Sequence, residues 1–295
     1  MEKHLLLIYN PLSGKRQIGG SIGDIIDIFT KGGYLVTVHP TQSKNDALTF
    51  VPEHVQGMDL IVACGGDGTL DEVVTAVMKA GADVPLGYIP AGSTNDFGSS
   101  LGIPRGMTEA AESIMKGRVL QCDAGAFNDD YFVYIAAFGV FTDVSYETDQ
   151  ALKNAFGHFA YLMEAGKRVF NIPTYHVTVE ANGEHYEGNY CYGMVTNARS
   201  VGGMKNITGN YVDLSDGLFE VTLVHTPVTP LDVNEIITSI LTGDYHSPLV
   251  EHFQTDHLLV ESRETIAWTL DGEYGSTHRK VEITNKKEAL RLMVP

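Results

Sequence analysis

Basic residues are scarce in this chain. Lysine and arginine number 20 against 37 aspartates and glutamates, so the formal net charge is -17. A protein with this balance repels polyanions, and we therefore expect no nucleic acid among its partners. A contact with an anionic membrane would need a local basic patch.

Cysteine and long apolar runs are also scarce. Cys64, Cys122 and Cys191 lie far apart in apolar stretches, which fits neither a disulfide framework nor a zinc site. The apolar run at residues 5–8 is too short for a signal-peptide core, and no run approaches membrane-spanning length. We therefore expect a cytoplasmic protein. If its substrate is a lipid, it works at the inner membrane surface without crossing the bilayer.

Two familiar nucleotide-binding signatures are missing. The chain contains neither G-x-G-x-x-G nor G-x-x-x-x-G-K-[ST], so the dinucleotide-fold and P-loop interpretations lose their main support. A glycine-rich turn of another kind is present at residues 65–69, Gly-Gly-Asp-Gly-Thr. It follows an apolar run and precedes a segment with helical spacing of apolar residues, which predicts a buried strand, a tight turn and a helix N-terminus.

That turn is suited to a phosphate group. Glycines let backbone amides approach a ligand closely, and the N-terminus of a helix favours negative charge. Asp67 would repel phosphate at this position unless a divalent cation lay between them. The pattern therefore favours a magnesium-bound polyphosphate, although a plain strand-to-helix turn has the same local sequence.

Two further polar loops follow predicted strands. Residues 10–16 follow the first strand, and residues 90–98 follow the fourth. In open α/β sheets, ligands bind at the carboxyl ends of the strands. In the second loop, Ser93 can donate a hydrogen bond to a phosphate and Asp96 is a second carboxylate for the metal.

The chain is long enough for two domains, and its pattern changes after about Phe127. Before that point, strands alternate with helices, the first helix having Ser21 as its expected N-cap, which predicts a parallel sheet. After it, helices are predicted only at 153–170 and 231–241, and the predicted strands are 131–136, 176–181, 186–197, 218–225, 257–261 and 266–270. Asn182-Gly183 predicts a hairpin turn.

These motifs together resemble the diacylglycerol kinase catalytic-domain family, and specifically its bacterial lipid kinases. The resemblance is carried by N-P-x-S-G-K from Asn10, G-G-D-G-T-L-x-E-V from Gly65 and P-x-G-[ST]-x-N-D-F from Pro90, and it extends to the Asp271-Gly272-Glu273 turn. It implies an ATP-binding domain at 1–126, to which 286–295 return. A β-sandwich would form 127–285, with the active site in the cleft between the two.

The resemblance also implies roles for individual residues. Asp67 and Asp96 would organise the metal and nucleotide, and Glu273 would be the general base. A structural Mg²⁺ would bind the Asp216 side chain and main-chain oxygens near Asp213 and Leu218. The positions expected to hold ATP are Asn10, Pro11, Leu12, Ser13, Gly14, Thr41, Gly66, Asp67, Gly68, Thr69, Leu70, Asp71, Glu72 and Ser93.

Some positions depart from the family's usual pattern. Asp71 stands where asparagine is usual, Ser93 replaces a common threonine, and residues 202–210 lack the usual Pro-Ala run. The last difference leaves the lipid acceptor in doubt. Asp123 is a further candidate for the network of acidic residues at the active site.

The sequence therefore predicts a kinase that uses ATP and Mg²⁺ on a membrane lipid, most plausibly diacylglycerol, with transient membrane contact. A sphingoid lipid, ceramide, phosphatidylglycerol or NAD remains an alternative acceptor. A lipid-binding regulatory protein without catalysis is the alternative from another class, and a homodimer is left open.

Overall fold

A computed structural model describes residues 2–14, 18–92, 95–140, 172–198 and 212–295. The described chain divides into two compact units, one made of 1–123 with 288–295 and the other of 124–287. The helix expected at 153–170 lies outside the described residues. No described helix is long and apolar enough to span a bilayer.

The first unit alternates strands and helices because short apolar runs are separated by segments with helical apolar spacing. Its elements are β1 (Lys3–Tyr9), α1 (Ile18–Lys31), β2 (Tyr34–Pro40), α2 (Asp46–His54), β3 (Leu60–Gly65), α3 (Asp67–Lys79), β4 (Leu86–Pro90), α4 (Asp96–Ser100), α5 (Met107–Lys116) and the start of β5 (Arg118–Phe127). The expected N-cap at Ser21 is wrong, because α1 already begins at Ile18.

The strands of this unit lie in the order β4-β3-β1-β2, and each neighbouring pair is parallel. β3 and β4 are buried at every residue, as expected for strands covered on both faces. The helices make two neighbouring pairs, α1 with α5 and α2 with α3. The three cysteines are reduced and buried, as the sequence predicted.

The end of the chain returns to this unit. Leu292 pairs in parallel with Leu86 of β4, and the fully buried Asp123 accepts a hydrogen bond from the Glu288 amide at 2.7 Å. Glu288 lies within the last strand and has a φ of 52°, so the Asp123 carboxylate holds that strand at a residue with a left-handed backbone conformation. Asp123 therefore has a structural contact besides any part in an acidic network.

The second unit is built mainly of antiparallel strands. Its elements are the end of β5, β6 (Asp130–Phe132), β7 (Ile135–Gly139), β8 (Tyr175–Ala181), β9 (Glu184–Thr196), β10 (Phe219–His225), α6 (Pro230–Thr242), β11 (Val250–Thr255), β12 (His257–Leu270) and most of β13 (Glu273–Val294). The strands follow the order β11-β10-β9-β7-β12-β13, and β8 pairs with both β9 and β12. Phe127, Phe138, Phe219 and Trp268 contribute to its core.

Three strand predictions in this unit need correction. The stretch 131–136 is divided between β6 and β7, and 257–270 is one strand whose register shifts between Glu261 and Ile266. The hairpin turn at Asn182-Gly183 is confirmed, since both residues have positive φ, 54° and 78°.

Candidate functional site

The carboxyl ends of four parallel strands meet at one edge of the first unit. Tyr9 at the end of β1 lies opposite both Pro40 of β2 and Cys64 of β3, and Gly65 lies opposite Pro90 of β4. The loops that follow these strands therefore begin side by side. They carry nearly all of the residues expected to bind nucleotide.

Glycines bring three of these loops into contact. A Cβ on Gly92 would lie 2.6 Å from the Cα of Gly66, so the loops after β3 and β4 touch backbone to backbone. A Cβ on Gly14, whose φ is +57°, would collide with the carbonyl oxygen of Ala91. Since no larger residue fits at Gly14 or Gly92 without movement, these glycines make the close packing of the loops possible.

Asn95 and Tyr88 hold the loop after β4 in place. The Asn95 side chain accepts a hydrogen bond from the Gly92 amide at 2.9 Å and donates one to the Gly92 carbonyl at 2.8 Å. The Tyr88 hydroxyl donates to Asn95 Oδ1 at 3.1 Å and to the carbonyl of Gly65 at 3.2 Å. Neither residue has an expected role from the sequence, although an Asn before a helix is a recognisable turn signal.

Asp67 begins α3 directly after Gly66, one of the glycines in contact. Gly66 is the N-cap residue of α3, so the first-turn amides of the helix lie beside the half-buried Asp67 side chain. Burial raises the pKa of Tyr88 well above its ordinary value, and the negative charge of Asp67 raises it further. The tyrosine thus stays protonated and can keep donating its hydrogen bond beside the carboxylate.

The residues after β1 and β2 that are expected to bind nucleotide lie in well-defined turns. Asn10 Oδ1 accepts a hydrogen bond from the amide of Leu12 at 2.9 Å, and the Asn10 carbonyl accepts one from Ser13 at 3.1 Å. The Leu12 side chain is 68% exposed. The Thr41 amide donates to the carbonyl of Tyr9 at 2.9 Å, which places Thr41 beside the same turn.

Glu72 has a contact that the sequence did not predict. Its Oε1 accepts a hydrogen bond from the amide of Asn45 at 2.9 Å, which links α3 to the turn before α2. Asn45 has a φ of 66° and is the N-cap residue of α2. Ser93 lies outside the described residues, and Asp96 is described only as the first residue of α4.

Glu273 belongs to the second unit. It is the exposed first residue of β13 and pairs with Leu270, the last residue of β12. Asp271 and Gly272 form the two-residue turn between them, with φ values of 50° and 84°. A tight turn thus presents Glu273 at the surface, as the sequence predicted.

The turn at Asp213 and Asp216 offers oxygen donors of the kind that Mg²⁺ prefers. Each carboxylate uses its Oδ1 within the turn, Asp213 accepting from the Ser215 amide at 3.1 Å and Asp216 from the Leu218 amide at 2.9 Å. The Lys287 ammonium donates to the Asp216 carbonyl at 3.2 Å, so it already places a positive charge there. Across the described ranges, no group of three or more His, Cys, Asp or Glu residues is arranged to hold a metal ion.

Comparisons with known proteins identify the family of this chain. Residues 4–127 match the family model of the diacylglycerol kinase catalytic domain, and residues 135–294 match the YegS C-terminal NAD kinase beta sandwich-like domain. A diacylglycerol kinase of Bacillus subtilis is 30% identical over 92% of this chain and 90% of its own length. One from Staphylococcus aureus is 31% identical, over 93% and 87% respectively.

Solved structures show the same fold. A crystal structure of a diacylglycerol kinase from Bacillus anthracis superposes with a TM-score of 0.77 at 23% identity, covering 100% of this chain and 97% of that one. A second solved structure from that organism gives a TM-score of 0.81 at 25% identity with the same coverage. The chain therefore belongs to the diacylglycerol kinase catalytic-domain family, and it is a kinase with a β-sandwich-like C-terminal domain.

Proposed function

We propose that this kinase transfers the γ-phosphoryl group of ATP to the hydroxyl of a membrane lipid, most plausibly converting diacylglycerol to phosphatidic acid. The observation that carries the proposal is the contact of three glycine-containing loops around Asp67, at one edge of the parallel strands. Catalysis of phosphoryl transfer depends mainly on positioning and on neutralising charge, and this edge supplies a site for both.

The ATP phosphates bind in this proposal at the N-terminus of α3. The helix begins at Asp67, and the first amides of a helix have no partner within it, so they can donate to phosphate oxygens. The turn at Asn10 and Ser13, together with Thr41, forms the neighbouring wall. Ser93 would donate from the loop after β4.

Magnesium is the metal that suits these residues. Asp67 supplies carboxylate oxygens beside a phosphate-binding helix end, the donor chemistry that Mg²⁺ prefers, and Asp96 would supply a second carboxylate. The ion, when bound, neutralises negative charge on the phosphates. A second Mg²⁺ would bind at Asp216, with main-chain oxygens near Asp213 and Leu218.

Glu273 acts in this proposal as the general base. A carboxylate at the surface tip of a tight turn can reach a hydroxyl of a separate lipid molecule, and accept its proton as the hydroxyl attacks the γ-phosphorus. Asp67 belongs to the first unit and Glu273 to the second. The enzyme would work from the cytoplasm, by transient contact with the inner membrane surface.

A transfer assay with several acceptors tests the proposal. ATP labelled at the γ-phosphate would be supplied with Mg²⁺ and diacylglycerol in mixed micelles, with ceramide, sphingosine, phosphatidylglycerol and NAD in parallel. We expect labelled phosphatidic acid, and no product without Mg²⁺. Product from another lipid alone would change the acceptor, whereas product from NAD alone would refute lipid kinase activity.

A further inference from the structure

The turn that presents Glu273 is anchored by a buried carboxylate. Asp271 is only 3% exposed, although it lies two residues before an exposed glutamate. Its Oδ2 accepts a hydrogen bond from the Val133 amide at 2.6 Å, and its Oδ1 accepts from the amides of Tyr134 and Ile135, both at 2.9 Å. One side chain thus receives three main-chain donors from the segment between β6 and β7.

The main chain of Asp271 is held by the same segment. Its amide donates to the carbonyl of Ile135 at 2.8 Å, and its carbonyl accepts from the Tyr134 hydroxyl at 3.2 Å. The Tyr134 carbonyl in turn accepts from the Asn197 amide at 3.0 Å, at the end of β9. The turn is therefore fixed to β7 and, through it, to β9.

This anchoring matters because a general base must be held within hydrogen-bonding distance of the proton that it accepts. The Glu273 side chain is exposed at the hairpin tip, so its placement depends on the backbone of the turn that carries it. We propose that Asp271 is a positioning residue for the reaction. Its hydrogen bonds to Val133, Tyr134 and Ile135 fix the turn from which Glu273 reaches the acceptor hydroxyl.

The inference rests on the proposed function, because it assigns Asp271 a role that acts through the base. An aspartate suits the position for two reasons. Its two oxygens can accept all three amides, and its φ of 50° lies in the left-handed region that Asp and Asn tolerate better than most residues. An asparagine would keep that backbone conformation but would turn its NH₂ group towards at least one of the amide donors.

A double-mutant cycle tests this role. The kcat and KM for ATP and for diacylglycerol would be measured for Asp271→Asn, Glu273→Gln and the double variant, corrected for folded protein. We expect Asp271→Asn to lower kcat by roughly tenfold or more with KM for ATP unchanged. In the Glu273→Gln background the same change should cost less than about twofold, because there is no base left to position.

If Asp271→Asn lowers kcat by the same factor with and without Glu273→Gln, the inference is overturned. An Asp271→Asn variant with wild-type kcat would also overturn it. If Glu273→Gln itself kept wild-type turnover, the proposed base would fail instead, and the two failures are thus distinguishable. Hydrogen exchange gives a readout apart from turnover, since the amides of residues 133–135 should exchange faster in Asp271→Asn. Unchanged exchange would contradict the anchoring.

Asp232 provides a matched control. Its carboxylate accepts from the amides of Val228 and Thr229 at 2.8 and 2.9 Å and from the Thr229 hydroxyl at 2.7 Å, in the capping box of α6. The helix follows β10. Glu220, near the start of β10, pairs with Thr196 of β9, which also pairs with Ile135 next to Asp271, whereas His225 at the other end of β10 pairs with Tyr190. Asp232→Asn should lower the melting temperature and leave kcat unchanged.

If Asp271→Asn does not fold, Tyr134→Phe replaces it in the cycle, because it removes the hydroxyl bond to the Asp271 carbonyl and keeps the Asp271 carboxylate. We expect a smaller loss of kcat that again disappears in the Glu273→Gln background. An equal loss in both backgrounds would overturn the positioning role.

Discussion

The close packing of Gly92 on Gly66 allows a sharp test of the nucleotide site. In Gly92→Ala, the new Cβ would lie 2.6 Å from the Cα of Gly66 and 2.9 Å from Asn95 Oδ1. Ordinary contacts between such atoms begin at 3.4 Å, so the loops after β3 and β4 must separate by about 1 Å. The φ of Gly92 is not positive, so alanine can adopt the same backbone conformation without strain. The effect of the substitution is therefore steric.

A displacement of this size should damage catalysis more than folding. Misplacing reacting groups by about 1 Å can lower turnover by roughly a hundredfold. We therefore expect Gly92→Ala to lower kcat/KM for ATP by about that factor, measured by the transfer assay, and to weaken ATP binding in calorimetry. The overall fold, followed by circular dichroism, should persist.

Gly23 in α1 provides the matched control. A Cβ at Gly23 would meet nothing within 4 Å, and its φ is not positive. Gly23→Ala should therefore leave ATP binding unchanged and stabilise the protein by about 0.5–1 kcal/mol, since glycine is unfavourable inside a helix. Wild-type ATP affinity and turnover in Gly92→Ala would refute the assignment of these loops to the nucleotide site.

Two further substitutions test the electrostatics and hydrogen bonding of the two units. Tyr88→Phe removes the hydroxyl that bonds Gly65 and Asn95, and should cost about 1–3 kcal/mol in urea unfolding; an unchanged midpoint would contradict this. Burial raises the pKa of Glu220 from 4.5 to about 7, so the folded state favours its protonated form and stability falls as pH rises from about 4.5 to about 7. This pKa shift corresponds to at most about 3 kcal/mol of folding stability. Measured in EDTA, the stability of Glu220→Gln should lack that part of the pH dependence. A pH profile of stability unchanged from the wild type would contradict the burial of the charge.

Local patterns predicted the alternation of strands and helices in the first unit well. The apolar run before Gly65 and the helical spacing after it led to β3 and α3, because burial on both faces leaves a continuous apolar signal. The N-cap of α1 was misplaced because serine is common both at caps and inside helices. Helix ends are the boundaries that local sequence defines least sharply.

Long-range hydrogen bonds explain what the patterns missed. Residues 131–136 look like one strand, but Asp271 takes the amides of Val133 and Tyr134 and thereby interrupts it from 138 and 137 positions away. The collision that a Cβ on Gly14 or Gly92 would cause likewise depends on loops distant in sequence. The motifs predicted which loops carry the chemistry, whereas the packing of those loops on one another required the folded structure.

The most direct test of the proposed mechanism is the rate of transfer from ATP to diacylglycerol by Asp67→Asn and Glu273→Gln, with ATP binding measured in parallel. Each variant should fold normally and lose at least about a hundredfold in turnover. Glu273→Gln should still bind Mg-ATP as the wild type does, whereas Asp67→Asn should lose much of the Mg²⁺ dependence of binding. Near wild-type turnover in either variant would contradict the role proposed for that carboxylate.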